Sequence, residues 1–240
     1  MRGAWSGRTL AFALLGATAA ALAGQTSQSY RDLRGIRPVS GDAAGGAKKA
    51  AVCESCHGAN GTSAAPMFPR LAGQRRTYLY YRLVAFKVAA PNDPYYSKSM
   101  MRAQVTSLSD ADMRNLAAFF AAQTPTGPVV AAPAAAGDKG KALYLSGDPT
   151  RGVPGCQGCH GADAAGPPTV AAQYSAYPAL RGQYSLYLST RLKSFRDRLP
   201  HDTTNDFIMG DVAHSMDDDS IQAIAGWLNS LAPLASANNF

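Results

Sequence analysis

The chain has 240 residues, 46% of them apolar, with 23 basic against 16 acidic side chains and a formal net charge of +7. That length suits two small domains. Mild basicity without an arginine-rich run argues against a nucleic-acid binder and favours an acidic partner patch or an anionic membrane face.

Residues 1–23 read as a secretory leader. Arg2 and Arg8 form its basic start, Leu10 to Leu22 its apolar run, and Ala21-Leu22-Ala23 a cleavage site. The run is shorter than the roughly 20 residues of a membrane span. Export to the periplasm is therefore expected, with the leader either cleaved or kept as an anchor. Losing Arg2 and Arg8 leaves 21 basic against 16 acidic residues, a net charge of +5. Residues 24–39 read as a mobile lead-in, and 40–126 as a first domain.

That domain opens with a short Ala- and Lys-containing segment from Asp42 into Cys53-Glu-Ser-Cys56-His57, and Cys156-Gln-Gly-Cys159-His160 repeats the motif later. The two copies use all four cysteines. C-x-x-C-H is the pattern of covalent haem attachment. Two thiols three residues apart each form a thioether to one vinyl group, and the adjoining histidine ligates the iron through a ring nitrogen. A zinc ribbon wants its pairs about 15–20 residues apart, far closer than these. A redox disulfide has no need of the histidine. Two haem c groups are thus expected on Cys53, Cys56, Cys156 and Cys159, with His57 and His160 on the irons.

Phe68-Pro-Arg-Leu-Ala-Gly-Gln74 follows and recurs as Tyr177-Pro-Ala-Leu-Arg-Gly-Gln183, at a constant offset of 109 residues. Tyr78, Leu79, Arg82, Leu83 and Phe86 recur at the same offset, at helical spacing. The chain is therefore an internal duplication of a whole domain. Pro69 and Pro178 either mark simple turns or offer a carbonyl to the second N–H of the histidine; recurrence favours the carbonyl. Arg82 and Arg191 either pair with haem propionates or snorkel to the surface. Gly46 and Gly140 permit a close helix crossing near Phe119 or Phe120 and Trp227.

The last helix of each copy is capped, by Ser109 before Met113, Leu116, Ala117 and Phe120, and by Asp217 before Ile221, Ile224, Ala225 and Leu228. Residues 127–136 read as a Pro/Ala-rich linker and 137–240 as the second domain.

The second axial ligand decides whether an iron carries electrons or meets small molecules. Methionine is the natural candidate, since its soft thioether favours ferrous iron. Aligned by their caps, Met101 and Met209 fall in register. Met113 and Met216 read as core and Met67 as packing, while Met100 competes with its neighbour. His201 and His214 lack a counterpart and read as surface residues.

With these motifs placed, the chain resembles the di-haem cytochrome c4 family from about Gly41 to Leu231. The duplicated F/Y-P-x-L-x-G-Q block and Thr204-Asn-Asp-Phe-Ile-Met209 are the most specific features. The resemblance implies an all-α fold of two tandem class I cytochrome c domains about a pseudo-twofold axis. Each is a few helices wrapped around one covalent haem, with the propionate edges facing. It implies a periplasmic electron carrier of the respiratory chain, not an enzyme, serving redox partner proteins such as a membrane-bound terminal oxidase, with peripheral membrane association open. Copy one departs from the pattern, having Asn92-Asp-Pro-Tyr-Tyr before its methionine; copy two departs at His214-Ser-Met216. A cytochrome subunit of a periplasmic dehydrogenase is the alternative function. A di-haem peroxidase needs an iron open to peroxide, which two placed methionines argue against.

Overall fold

The computed structural model describes residues 1, 31–89, 91, 93–127, 134–167, 171–199 and 203–233. The leader's apolar run and cleavage site, Asn92, the centre of the linker and His201 lie outside the described residues. Those that are described form helices joined by turns, with no β-strand among them.

The first domain opens on α1 (Ala43–Ala47), capped by Asp42, whose carboxylate accepts from the Ala44 and Gly45 N–H groups at 2.9 Å each. α2 (Ala51–His57) carries the first C-x-x-C-H motif and stops at Gly58, whose φ of 76° suits glycine. α3 (Arg76–Val88), α4 (Met100–Val105) and α5 (Asp110–Ala121) follow. α5 starts in a reciprocal cap between Ser109 and Asp112, at 3.1 and 3.0 Å.

The second domain repeats this order with α6 (Ala134–Ser146), α7 (Gln157–His160), α8 (Ser185–Arg196), α9 (Thr204–His214) and α10 (Asp218–Ser230). α6 begins inside the stretch expected to be linker, so residues 134–136 are helical.

Each domain is held by the crossing of its first helix on its last. A Cβ on Gly46 would run into the Asn115 carbonyl and reach Phe119 Cβ at 2.8 Å; one on Gly140 would run into the Ala223 carbonyl and reach Trp227 Cβ at 2.8 Å. Glycine lets backbones meet there. Around each crossing lies a core, with Leu79, Met113, Leu116 and Phe120 in one domain and Tyr144, Leu188, Met216, Ile221 and Leu228 in the other.

Residues 31–39, expected as a mobile lead-in, are instead strapped across both domains. Thr204 N–H donates to the Arg31 carbonyl (3.1 Å), Leu33 N–H to Thr204 Oγ1 (3.0 Å) and Val39 N–H to Thr77 Oγ1 (3.0 Å). Leu33 and Val39 are each only 5% exposed. Burial of these two side chains, together with the three backbone hydrogen bonds, holds the segment in place.

Candidate haem sites

Both C-x-x-C-H motifs sit on helices that end at their histidine, and both histidines are buried. His57 Nδ1 lies 2.8 Å from the Pro69 carbonyl and His160 Nδ1 lies 3.0 Å from the Pro178 carbonyl. A carbonyl only accepts, so Nδ1 holds the proton and Nε2 keeps its lone pair. Burial holds both imidazoles below their ordinary pKa, the proline bond opposing it, and for His160 the nearby Arg75 adds to the lowering. Each ring is thus neutral, fixed in tautomer and free to ligate at Nε2. Phe68 stands edge-on to His57 at 6.1 Å between centroids, and Tyr177 lies beside His160 at 6.2 Å.

The four thiols are unpaired. Cys53 and Cys156 are half-buried, while Cys56 and Cys159 open to the surface. Among the described residues no cluster of three or more His, Cys, Asp or Glu groups gathers as a bare metal ion would need. A thiol pair beside a histidine with a free Nε2, present twice, is the donor set of covalent haem.

Met101 is the second residue of α4, its N–H held by Ser99 Oγ at 3.2 Å. Met209 lies within α9, which Thr203 and Asp206 cap reciprocally. Both are half-buried, whereas Met100 is 71% exposed. Met113 and Met216 are in the core; Met67, expected to pack, is 65% exposed ahead of the proline turn. His214 is exposed.

Arg82 and Arg191 do not snorkel. Both sit between the domains, Arg191 buried and Arg82 half-buried. Arg82 Nη1 is 3.4 Å from Asp206 Oδ1 and its guanidinium lies over Tyr96 at 4.9 Å. Arg191 lies over Tyr95 at 4.6 Å and Phe195 at 4.4 Å, with Nη1 buried and lacking a hydrogen bond. Arg75 Nε is likewise buried without a hydrogen bond, and the Arg75 side chain fills the space a Cβ on Gly166 would take. Buried unsatisfied guanidinium atoms call for an anion, which suits a carboxylate-bearing cofactor.

Sequence reasoning assigned no role to Gln74 and Gln183, although both close the repeated block. Gln74 Nε2 donates to the Ala179 carbonyl (2.8 Å) and its Oε1 accepts from Ala179 N–H (2.9 Å). Gln183 Nε2 donates to the Arg70 carbonyl (3.0 Å) and its Oε1 accepts from Arg70 N–H (3.0 Å). Ala179 and Arg70 are themselves repeat equivalents, so the pairing is reciprocal between the two domains. Tyr184 OH adds a bond to the Ser63 carbonyl at 2.5 Å, beneath the Arg70 guanidinium. The signal was the recurrence of an otherwise unexplained polar residue.

The Cytochrome c family profile matches residues 43–123 and 137–232. Cytochrome c4 of Azotobacter vinelandii is 36% identical over 203 residues, 83% of this chain and 93% of that protein. The thiosulfate dehydrogenase electron acceptor of Thiomonas intermedia is 34% identical, over 79% of this chain and 84% of its own. Among solved structures, reduced recombinant cytochrome c4 from Pseudomonas stutzeri superposes with a TM-score of 0.70 at 34% identity, covering 80% of this chain and 100% of that one.

Proposed function

Because the chain belongs to the cytochrome c family, with the tandem di-haem arrangement of its cytochrome c4 relatives, we propose that it is a periplasmic carrier with two closed His/Met haem sites. The cofactors are two covalently bound haems, each supplying reversible one-electron chemistry at its iron. Cys53 and Cys56 would tether one, and Cys156 and Cys159 the other. His57 with Met101 would hold one iron, and His160 with Met209 the other. Pro69 and Pro178 orient the histidines, and Arg191 and Arg75 are the buried cations best suited to the propionates. The observation that carries this reading is the matched histidine–proline geometry, 2.8 and 3.0 Å, in both domains.

The chain's own residues then exclude substrate chemistry. Met101 and Met209 would close the irons with their thioethers, and the buried Arg75 and Arg191 would neutralise the propionates inside the protein. What is left to each site is the passage of an electron to or from a partner.

Two partners fit such a carrier. A membrane-bound terminal oxidase follows from the respiratory reading of the sequence. A periplasmic dehydrogenase as donor is favoured by the relative described as a thiosulfate dehydrogenase electron acceptor. No described helix is long and apolar enough to cross a membrane. The net positive charge would aid docking to an acidic patch on either partner. The test mixes the oxidised protein with a thiosulfate dehydrogenase and thiosulfate, and the reduced protein with oxidase-bearing membranes. Reduction by the first and oxidation by the second, each slowing as salt rises, support the carrier. Peroxide turnover by the native protein overturns it.

A further inference from the structure

The Pro178 carbonyl and the Ala179 N–H belong to one peptide unit. Its oxygen lies 3.0 Å from His160 Nδ1, and its N–H donates to Gln74 Oε1 at 2.9 Å. The Pro69 carbonyl and the Arg70 N–H form the equivalent unit, with His57 Nδ1 at 2.8 Å and Gln183 Oε1 at 3.0 Å. Each glutamine therefore terminates a hydrogen-bonded relay that begins on the histidine of the other domain. Both glutamines are buried, and both are clamped by a following N–H, Arg75 to Gln74 at 2.8 Å and Tyr184 to Gln183 at 3.1 Å.

Resting on the axial-ligand reading above, we propose that Gln74 and Gln183 are positioning residues that set the redox potential of the haem in the opposite domain. A hydrogen bond donated by a peptide N–H polarises the unit and strengthens what its carbonyl accepts, by about 10–30% per bond. A stronger bond from the histidine N–H makes the imidazole a better donor to the metal. Greater donation favours ferric iron and lowers the potential. Gln74, in the first domain, thus holds down the potential of the second, and Gln183 does the reverse. The two domains read one another's docking through the peptide next to the iron's histidine.

The test measures both potentials in holoprotein carrying Gln74→Leu, Gln183→Leu or Gln74→Glu, with NMR signals of each haem assigned from Met101→Ala and Met209→Ala spectra. Gln74→Leu should raise the second-domain potential at least threefold more than the first, and Gln183→Leu should show the opposite address. Gln74→Glu gives up the bond to the Ala179 carbonyl but offers the Ala179 N–H a stronger, charged acceptor, so it should lower the second-domain potential more than the first. This variant retains the Ala179 N–H contact and serves if the leucine variants do not fold. Equal shifts in both domains, or a larger shift in the mutated domain itself, would overturn the proposal and leave the glutamines as domain glue, with ligation intact. Parent protein lacking two His/Met spectra would overturn the ligation reading and the proposal with it.

Discussion

The Tyr96 hydroxyl donates across the domain boundary to the Asp206 carboxylate, 3.2 Å from Oδ1 and 3.3 Å from Oδ2. Tyr96 comes from the Asp93-Pro-Tyr-Tyr turn peculiar to copy one, and Asp206 from the Thr-Asn-Asp segment peculiar to copy two. Two segments without a counterpart in the other copy therefore meet. Asp206 also closes the cap of α9 by accepting from Thr203 N–H (3.2 Å) and Thr203 Oγ1 (2.9 Å), three residues ahead of Met209.

Tyr96→Phe leaves Asp206 its cap and Arg82, so it should lower stability by about 1–2 kcal/mol. Asp206→Ala removes a buried carboxylate that both pairs with the half-buried Arg82 and closes the α9 cap, and should cost about 3–5 kcal/mol. Thermal unfolding of the holoprotein measures both. Equal losses would mean that the hydroxyl, not the carboxylate, anchors the interface.

Gly46→Ala and Gly140→Ala should each destabilise by about 1–3 kcal/mol, because the added carbon meets backbone that can yield only by separating the two helices. Chemical denaturation should give similar losses for the two positions. A neutral result at either would show that its crossing is looser than its twin.

Lys49 and the Ser109 cap hold the Asp112 carboxyl down at about 2. A carboxyl depressed in the folded state stabilises above its ordinary pKa of about 3.9, and that contribution disappears as pH falls through 2. Melting temperature should therefore drop between pH 4 and 2, and Asp112→Asn should flatten this part of the profile. An unchanged acid limb in Asp112→Asn would remove the cap from the account.

Met101→Ala and Met209→Ala should each abolish about half of the weak near-infrared band of ferric iron–thioether bonding, one equal site of two. Met100→Ala should leave it intact. Loss of the band with Met100→Ala alone would move the copy-one ligand by one residue.

The sequence made the motifs, the two proline turns and the glycine crossings legible because each is local and each occurs twice. The all-α tandem fold followed from the same duplication. Contacts between the copies were not legible. Nothing in the spacing of Gln74 shows that it reaches Ala179, since periodicity within one domain carries no record of the other. Arg82 and Arg191 looked equally suited to the surface, because their apolar neighbours in sequence face a second domain instead of water. The anchoring of residues 31–39 was not legible because only Leu33 and Val39 are buried there, too few to set a period.

We propose that both irons are closed by protein ligands, so that the chain carries electrons and has no open iron for catalysis. Carbon monoxide tests it most directly, since it binds ferrous haem only where an axial position is open. The reduced native protein, mixed with carbon monoxide at neutral pH, should keep its visible spectrum unchanged, while Met101→Ala and Met209→Ala should each bind at one iron. Rapid binding of carbon monoxide by the native protein at either iron would contradict the account.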